Sequence, residues 1–215
     1  MIYADGEIYE GDWADDVFDG HGKMININGD IYEGEYHGGR LNGKATYRSS
    51  GGDIYEGAWK DDKYEGKGKM MYSNGDVYDG EWKNDKINGK GNKFFSNGNS
   101  YFGTFKNGKF HGKGWYEDIV NSEMYHGEWK DGMKDGVGKF MRSDGKFYVG
   151  SFKNDKYHGS GKLIDTNVEN DEEWENGARI NRFKDDGPPV AKRSRIVSPQ
   201  KKKDEGEERI IIVID

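Results

Sequence analysis

Residues 55–77 read YEGAWKDDKYEGKGKMMYSNGDV, and residues 78–91 open the same block again as YDGEWKNDKINGKG. Bulky and minimal residues alternate in both. Tyr55, Gly57 and Trp59 occupy alternate positions and so share one face of an extended strand. The pairs that follow, Asp61-Asp62 and Asn84-Asp85, are residues that tolerate positive φ in a two-residue hairpin turn. Counting back from that turn sets Trp59 against Tyr64, Gly57 against Gly66 and Tyr55 against Gly68, while Glu56 meets Lys67 on the other face. The same count gives Glu33–Lys44 and Asp79–Lys90 in neighbouring blocks. One face then pairs rings with apolar residues and the other pairs opposite charges, as antiparallel strands prefer. A ring lying flat on a strand needs a neighbour without a side chain, which gives the glycines their role.

Outward from this block, the opening aromatic recurs at Tyr9, Tyr32, Tyr55, Tyr78, Tyr101, Tyr125 and Tyr148, in steps of 23 residues and once of 24. Each is followed four residues later by Trp13, Tyr36, Trp59, Trp82, Phe105, Trp129 or Phe152. Side chains alternate along a strand, so a repeat of odd length would turn every second Tyr to the wrong face. One odd connection per repeat is therefore required. Asn28-Gly29, Asn74-Gly75, Asn97-Gly98 and Asp144-Gly145 suit three-residue turns with Gly in the left-handed position. With that turn, Trp82 falls opposite Gly68 of the preceding unit. The stretch EDIVNSEM (117–124) is longer and lacks Gly, which predicts an irregular loop.

Seven copies of Tyr-x-Gly-x-aromatic followed by Gly-x-Gly (Gly-x-Ala in the second) resemble the MORN repeat (membrane occupation and recognition nexus) over residues 1–163. The predicted fold is all-β: an elongated single-sheet antiparallel β-meander, a solenoid of repeated hairpins. The array spans 1–163, with repeats starting at 9, 32, 55, 78, 101, 125 and 148 and a partial N-terminal unit. Residues 164–184 form a degenerate repeat or C-terminal cap, signalled by Glu172-Glu173-Trp174-Glu175-Asn176-Gly177. Residues 185–215 form a charged tail whose composition predicts flexibility.

Net charge is −7, from 33 basic and 40 acidic residues. That argues against nucleic-acid binding, which needs a basic stripe against phosphates. There is no cysteine, so neither a disulfide framework nor a Cys-based zinc site is available, and the reading is an intracellular chain, cytoplasmic or nuclear. His21, His37, His111, His126 and His158 form no metal-ligand motif, and the Gly-x-Gly pairs lack the continuation and helix of a phosphate loop. Acidic and basic residues alternate as a ladder with no paired catalytic carboxylates. No enzyme, metal or cofactor is predicted.

What remains is binding. The resemblance implies scaffolding and peptide or partner recognition, often by elongated dimers. On this reading Tyr55, Trp59, Tyr78, Trp82, Tyr101, Phe105, Tyr125 and Trp129 line an aromatic groove for a peptide or helix of a protein partner; the alternative is that these rings are the core, since a one-layer sheet has nothing else to bury. A second apolar patch, Phe102, Trp115, Val137, Phe147 and Val149, stands where other repeats carry charges. Its contact would be a partner, a second copy in a homodimer, or residues 164–184 folding back. Phospholipid is the alternative that the family's name implies; the balanced ladder argues against it, because anionic lipid attracts clustered Lys and Arg. A targeting subunit acting in trans for an enzyme is a further alternative, since such arrays precede catalytic domains in some lipid kinases and histone methyltransferases. In the tail, Lys192, Arg193, Arg195, Lys201, Lys202 and Lys203 resemble a bipartite nuclear-localisation signal. Ile210, Ile211, Ile212, Val213 and Ile214, flanked by Glu207, Glu208 and Asp215, resemble a SUMO-interacting motif, which binds by adding a strand to a sheet edge. The same run could instead cap the last strand of the array.

Overall fold

The structure, a computed structural model, describes residues 1, 6–165 and 168–180. Sixteen strands follow one another and pair in chain order in one antiparallel sheet. They are β1 Ile8–Ala14, β2 Val17–Ile25, β3 Ile31–His37, β4 Arg40–Arg48, β5 Ile54–Lys60, β6 Lys63–Met71, β7 Val77–Lys83 and β8 Lys86–Phe94. The second half continues as β9 Ser100–Lys106, β10 Lys109–Asp118, β11 Glu123–Lys130, β12 Met133–Met141, β13 Phe147–Lys153, β14 Lys156–Asp165, β15 Val168–Glu175 and β16 Ala178–Arg179.

Both kinds of turn form as their residues dictate. Asp61 and Asp62 adopt φ of 49° and 64°, so β5 and β6 are joined by two left-handed residues. Between β6 and β7 the Tyr72 amide donates to the Asp76 carbonyl, the Gly75 amide donates to the Tyr72 carbonyl, and Gly75 takes φ 90°. Three residues are enclosed, and this odd connection restores the face of the next Tyr. Between β10 and β11 the strands run on to Asp118 and Glu123 around a four-residue turn in which Ser122 has φ 55°.

The predicted register holds from the turn to the tryptophan and then needs correction. Trp59 pairs with Tyr64, but Gly57 pairs with Gly68, Glu56 with Lys69 and Tyr55 with Met70. Likewise Glu33 faces Thr46 and Asp79 faces Asn92. A bulge sets Ala58 against Glu65, Gly66 and Lys67, with Gly66 at φ 74°. Simple pair counting misses it because a bulge of two extra residues leaves the alternation of faces intact. Across the other turn Trp82 pairs with Gly66, not Gly68, although its indole N–H donates to the Gly68 carbonyl at 3.0 Å.

The ring face is two layers deep. Tyr55 lies on the bare backbone of Gly57 and Gly68 and donates its phenol to the Ala58 carbonyl at 2.9 Å. Tyr64 stacks on it with centroids 3.9 Å apart, and Trp59 and Trp82 stand edge-on at 5.4 Å each. Burying one such ring removes roughly 150–250 Å² from water, on the order of 4 kcal/mol of transfer free energy. Carboxylates staple adjacent repeats at both edges of the sheet. Asp85 Oδ1 accepts from the Tyr64 amide at 2.8 Å, and Asp53 Oδ1 accepts from the Ser73 amide at 2.7 Å.

Residues 168–180 extend the sheet, so this part of the C-terminal segment does not fold back over the opposite face. Asn170 stands where the repeat Tyr would be, and Glu172, opposite Gly161, replaces the Gly that such a ring would cover. Glu172 is buried and paired with Arg179 at 3.4 Å. With both the ring and its bare backbone gone, the packing code cannot propagate further. The basic motif at Lys192–Lys203 and the aliphatic run Ile210–Ile214 lie outside the described residues.

Candidate interaction face

The eight rings expected to line a groove form the core. Tyr55, Tyr78 and Tyr101 are 0% exposed, and Trp59, Trp82, Phe105, Tyr125 and Trp129 no more than 6%. Sequence reasoning counted the first strand of each hairpin and left out its cover. The second residue after the two-residue turn folds over the Tyr: Phe18 stacks on Tyr9, Phe110 on Tyr101 and Tyr157 on Tyr148 at 3.7–4.0 Å. Burial pushes the Tyr101 and Tyr148 phenols up to about 12. In the sixth repeat Lys134 takes the covering position, its amine 5.4 Å from the Tyr125 ring and 4.1 Å from that of Phe140, and burial lowers its pKa. What this face leaves half-exposed are rings on the second strand or one residue past it, such as Tyr47, Tyr72, Phe95, Tyr116 and Phe140.

The opposite face is organised in rows that cross the whole sheet. One row runs Glu10, Lys23, Glu33, Thr46, Glu56, Lys69 and Asp79 through β1–β7, each paired with the next. It continues through Asn92, Phe102, Trp115, His126, Lys139 and Val149. The charged half is concave, a trough of about 1170 Å³ floored by the backbone of Gly34, Gly57 and Gly68. The other half interrupts its charges with exposed apolar side chains. Phe102 and Trp115 sit directly opposite one another on β9 and β10, 40% and 43% exposed. Val137 on β12 is 62% exposed, Phe147 and Val149 on β13 are half-buried, and the Lys139 amine rests 4.3 Å over the Phe147 ring. The structure thus places the five patch residues on one face of β9–β13.

A second row on this face was missed. Ile8, Ile25, Ile31, Arg48, Ile54, Met71, Val77 and Phe94 pair in sequence across β1–β8 and make an almost unbroken apolar rail. Phe94 is 43% exposed and meets Phe102 edge-on at 5.5 Å, so the rail runs into the patch. The signal was present: an apolar residue immediately precedes most of the repeat tyrosines. Among the described residues no group of three or more His, Asp or Glu is placed to hold a metal ion, and no helix is long and apolar enough to cross a membrane.

A family model described as the MORN repeat matches residues 9–31, 32–54, 55–77, 78–100, 101–118, 125–147 and 148–167. The chain belongs to the MORN-repeat family. The matched units coincide with the hairpin pairs of the sheet, so the MORN array takes in β1–β14. No curated protein matches the sequence. Among solved structures, the array is similar to the TCP domain of Drosophila melanogaster SAS-4 in complex with a proline-rich motif of Ana2, at 15% identity, TM-score 0.41, and coverage of 72% of this chain and 83% of that one. It is also similar to the TCP10 domain of Danio rerio CPAP, at 11% identity, TM-score 0.44, and coverage of 80% and 87%. Both scores fall below the level of a shared fold.

Proposed function

We propose that this MORN array is a non-enzymatic scaffold that takes up a protein partner on the face opposite its rings, with Phe94, Phe102, Trp115 and Val137 as the anchor. The observation that carries this reading is the change in the cross-sheet row from alternating charges to paired aromatics between β7 and β10. A water-facing ladder gains nothing from exposed Phe and Trp, and contiguous exposed apolar residues mark a contact surface. Large aromatics supply most of the energy in such contacts, and the concave charged trough beside them supplies register. The ring face contributes stiffness, since its repeat rings are already spent on the core.

The test uses Phe102→Ser together with Trp115→Ser. Both side chains are exposed, so far-ultraviolet circular dichroism and the melting temperature stay close to wild type. Proteins retained from extract by the immobilised chain are lost with this variant and kept by Glu33→Lys with Glu56→Lys. Undiminished capture by the apolar variant sinks the reading.

A further inference from the structure

The docking face carries a second feature, which a net charge of −7 conceals. On β7–β10 six lysines crowd toward the two-residue turns. Lys83 pairs with Lys86, Lys106 pairs with Lys109, and Lys90 and Lys113 stand on the same face one row further in. All six are exposed, and among the described residues none of them forms an ion pair. We propose that the protein partner presents a short acidic run, about four carboxylates, to these lysines and lays the apolar residues beside that run on Phe94, Phe102 and Trp115; this rests on the reading of that face as a docking surface.

The excess of positive charge is local. The acids in this half of β7–β10 are Glu81, whose Oε2 accepts from the Lys90 amide at 3.1 Å, and Asp85, whose Oδ1 accepts from the Tyr64 amide at 2.8 Å. Six cations against two anions leave about four positive charges uncompensated. Asp79 and Glu117, the other acids of this face on the same strands, stand level with the Phe102 row or beyond it, away from the two-residue turns. One hairpin to either side the excess is gone. Lys60, Lys63 and Lys67 meet Asp61, Asp62 and Glu65 around the β5–β6 turn, and Lys130 stands with Glu128, Asp131 and Asp135 around the β11–β12 turn.

That boundary selects the occupant. From β7 to β10 is three strand spacings, roughly 14 Å, and from Lys106 to Phe102 is four residues of β9, roughly 13 Å. A nucleic-acid backbone or an anionic membrane runs on beyond such a patch and would meet the acids on both sides of it. An extended peptide advances about 3.3 Å per residue, so about four acidic residues laid along β9 cover the lysines and bring the next ones over Phe102 and Trp115. The exposed aromatics supply affinity, and the lysines fix which way round the segment lies.

The test measures fluorescence anisotropy of a fluorescein-labelled peptide, four glutamates joined to Leu-Phe-Val-Leu in either order, with the full chain. The expected result is binding that weakens as salt rises. Lys106→Glu with Lys109→Glu weakens it by at least about tenfold, and a counterpart peptide with four lysines binds that variant better than wild type. Lys153→Glu with Lys156→Glu makes the same change of net charge at the β13–β14 turn and leaves binding unchanged. All four side chains are exposed, so the circular dichroism of both variants matches wild type. Absence of binding in both orders, or undiminished binding by the Lys106, Lys109 variant, overturns the proposal. Equal loss in the two variants overturns it as well, by reducing the effect to net charge. So does tighter binding of an oligothymidylate or of phosphatidylserine vesicles than of either peptide, which assigns the lysines to phosphate. In each of these cases the docking face still stands if Phe102→Ser with Trp115→Ser abolishes capture, and it fails if capture survives that variant.

Discussion

A Cβ at Gly68 would fall inside the Tyr55 ring, and one at Gly57 would meet the Gly68 backbone. These glycines are kept for lack of volume. Gly68→Ala is predicted to lower stability by about 1–3 kcal/mol in urea unfolding, the range for overfilling a packed site. Gly38, in a turn at φ 56° with nothing near it, provides the contrast. Asn tolerates that φ, so Gly38→Asn shifts stability by less than about 0.5 kcal/mol. The same close packing sets the alkaline limit. Burial raises the Tyr32, Tyr101 and Tyr148 phenols to about 12, against about 10 in the unfolded chain. A raised pKa stabilises the folded form fully below the unfolded value, and that contribution is lost as pH climbs from about 10 toward 12. Melting temperature is predicted to fall across that window, with the buried tyrosines' share of the phenolate absorbance appearing only as the sheet unfolds. Phenolate that titrates fully before unfolding would show the rings are not sealed.

At the scale of the hairpin, the indoles of Trp59, Trp82 and Trp129 each tie two repeats together. Trp59 donates to the Ala45 carbonyl at 3.1 Å and Trp82 to that of Gly68 at 3.0 Å, both across the longer turn. Trp82→Phe keeps the ring and removes the donor, leaving a buried carbonyl short of a partner. The predicted loss is about 1 kcal/mol, read from chemical denaturation. Strand number, both turn types and the side on which every ring falls could be read from residue order, because alternation and turn chemistry are local. The bulge beside Ala58 could not, because an even number of extra residues leaves no trace in the alternation. The candidate face was legible in part. Phe102, Trp115, Val137, Phe147 and Val149 stood out as breaks in the charge ladder, but Phe94 and the apolar rail required cross-strand partners that only the true register supplies. Residue order left the repeat rings open between groove and core, because occlusion by Tyr64 or Phe110 depends on stacking, a contact that spacing along one strand does not reveal.

For the whole molecule, contacts run only between neighbouring units, so stability accumulates along the array. Removing residues 78–100 takes out one full period and joins Val77 to Tyr101 in the correct phase. That chain is predicted to keep its β-sheet circular dichroism and unfold cooperatively, with a denaturant slope reduced by roughly a seventh. Removing residues 79–100 instead deletes one residue fewer and turns every later ring to the wrong side. Loss of near-ultraviolet dichroism from the downstream half would follow, and its retention would refute the phase argument.

The strands lie across the length of the array, so the ladder bonds between them point along it. A pull on the two ends therefore loads those bonds one rung at a time, like opening a zip, and never shears a whole strand pair at once. Each unit released pays out roughly 70–80 Å of slack chain. Tethered between two moving anchors, such a ribbon would yield stepwise under modest tension and re-form, acting as an extensible strap instead of a strut.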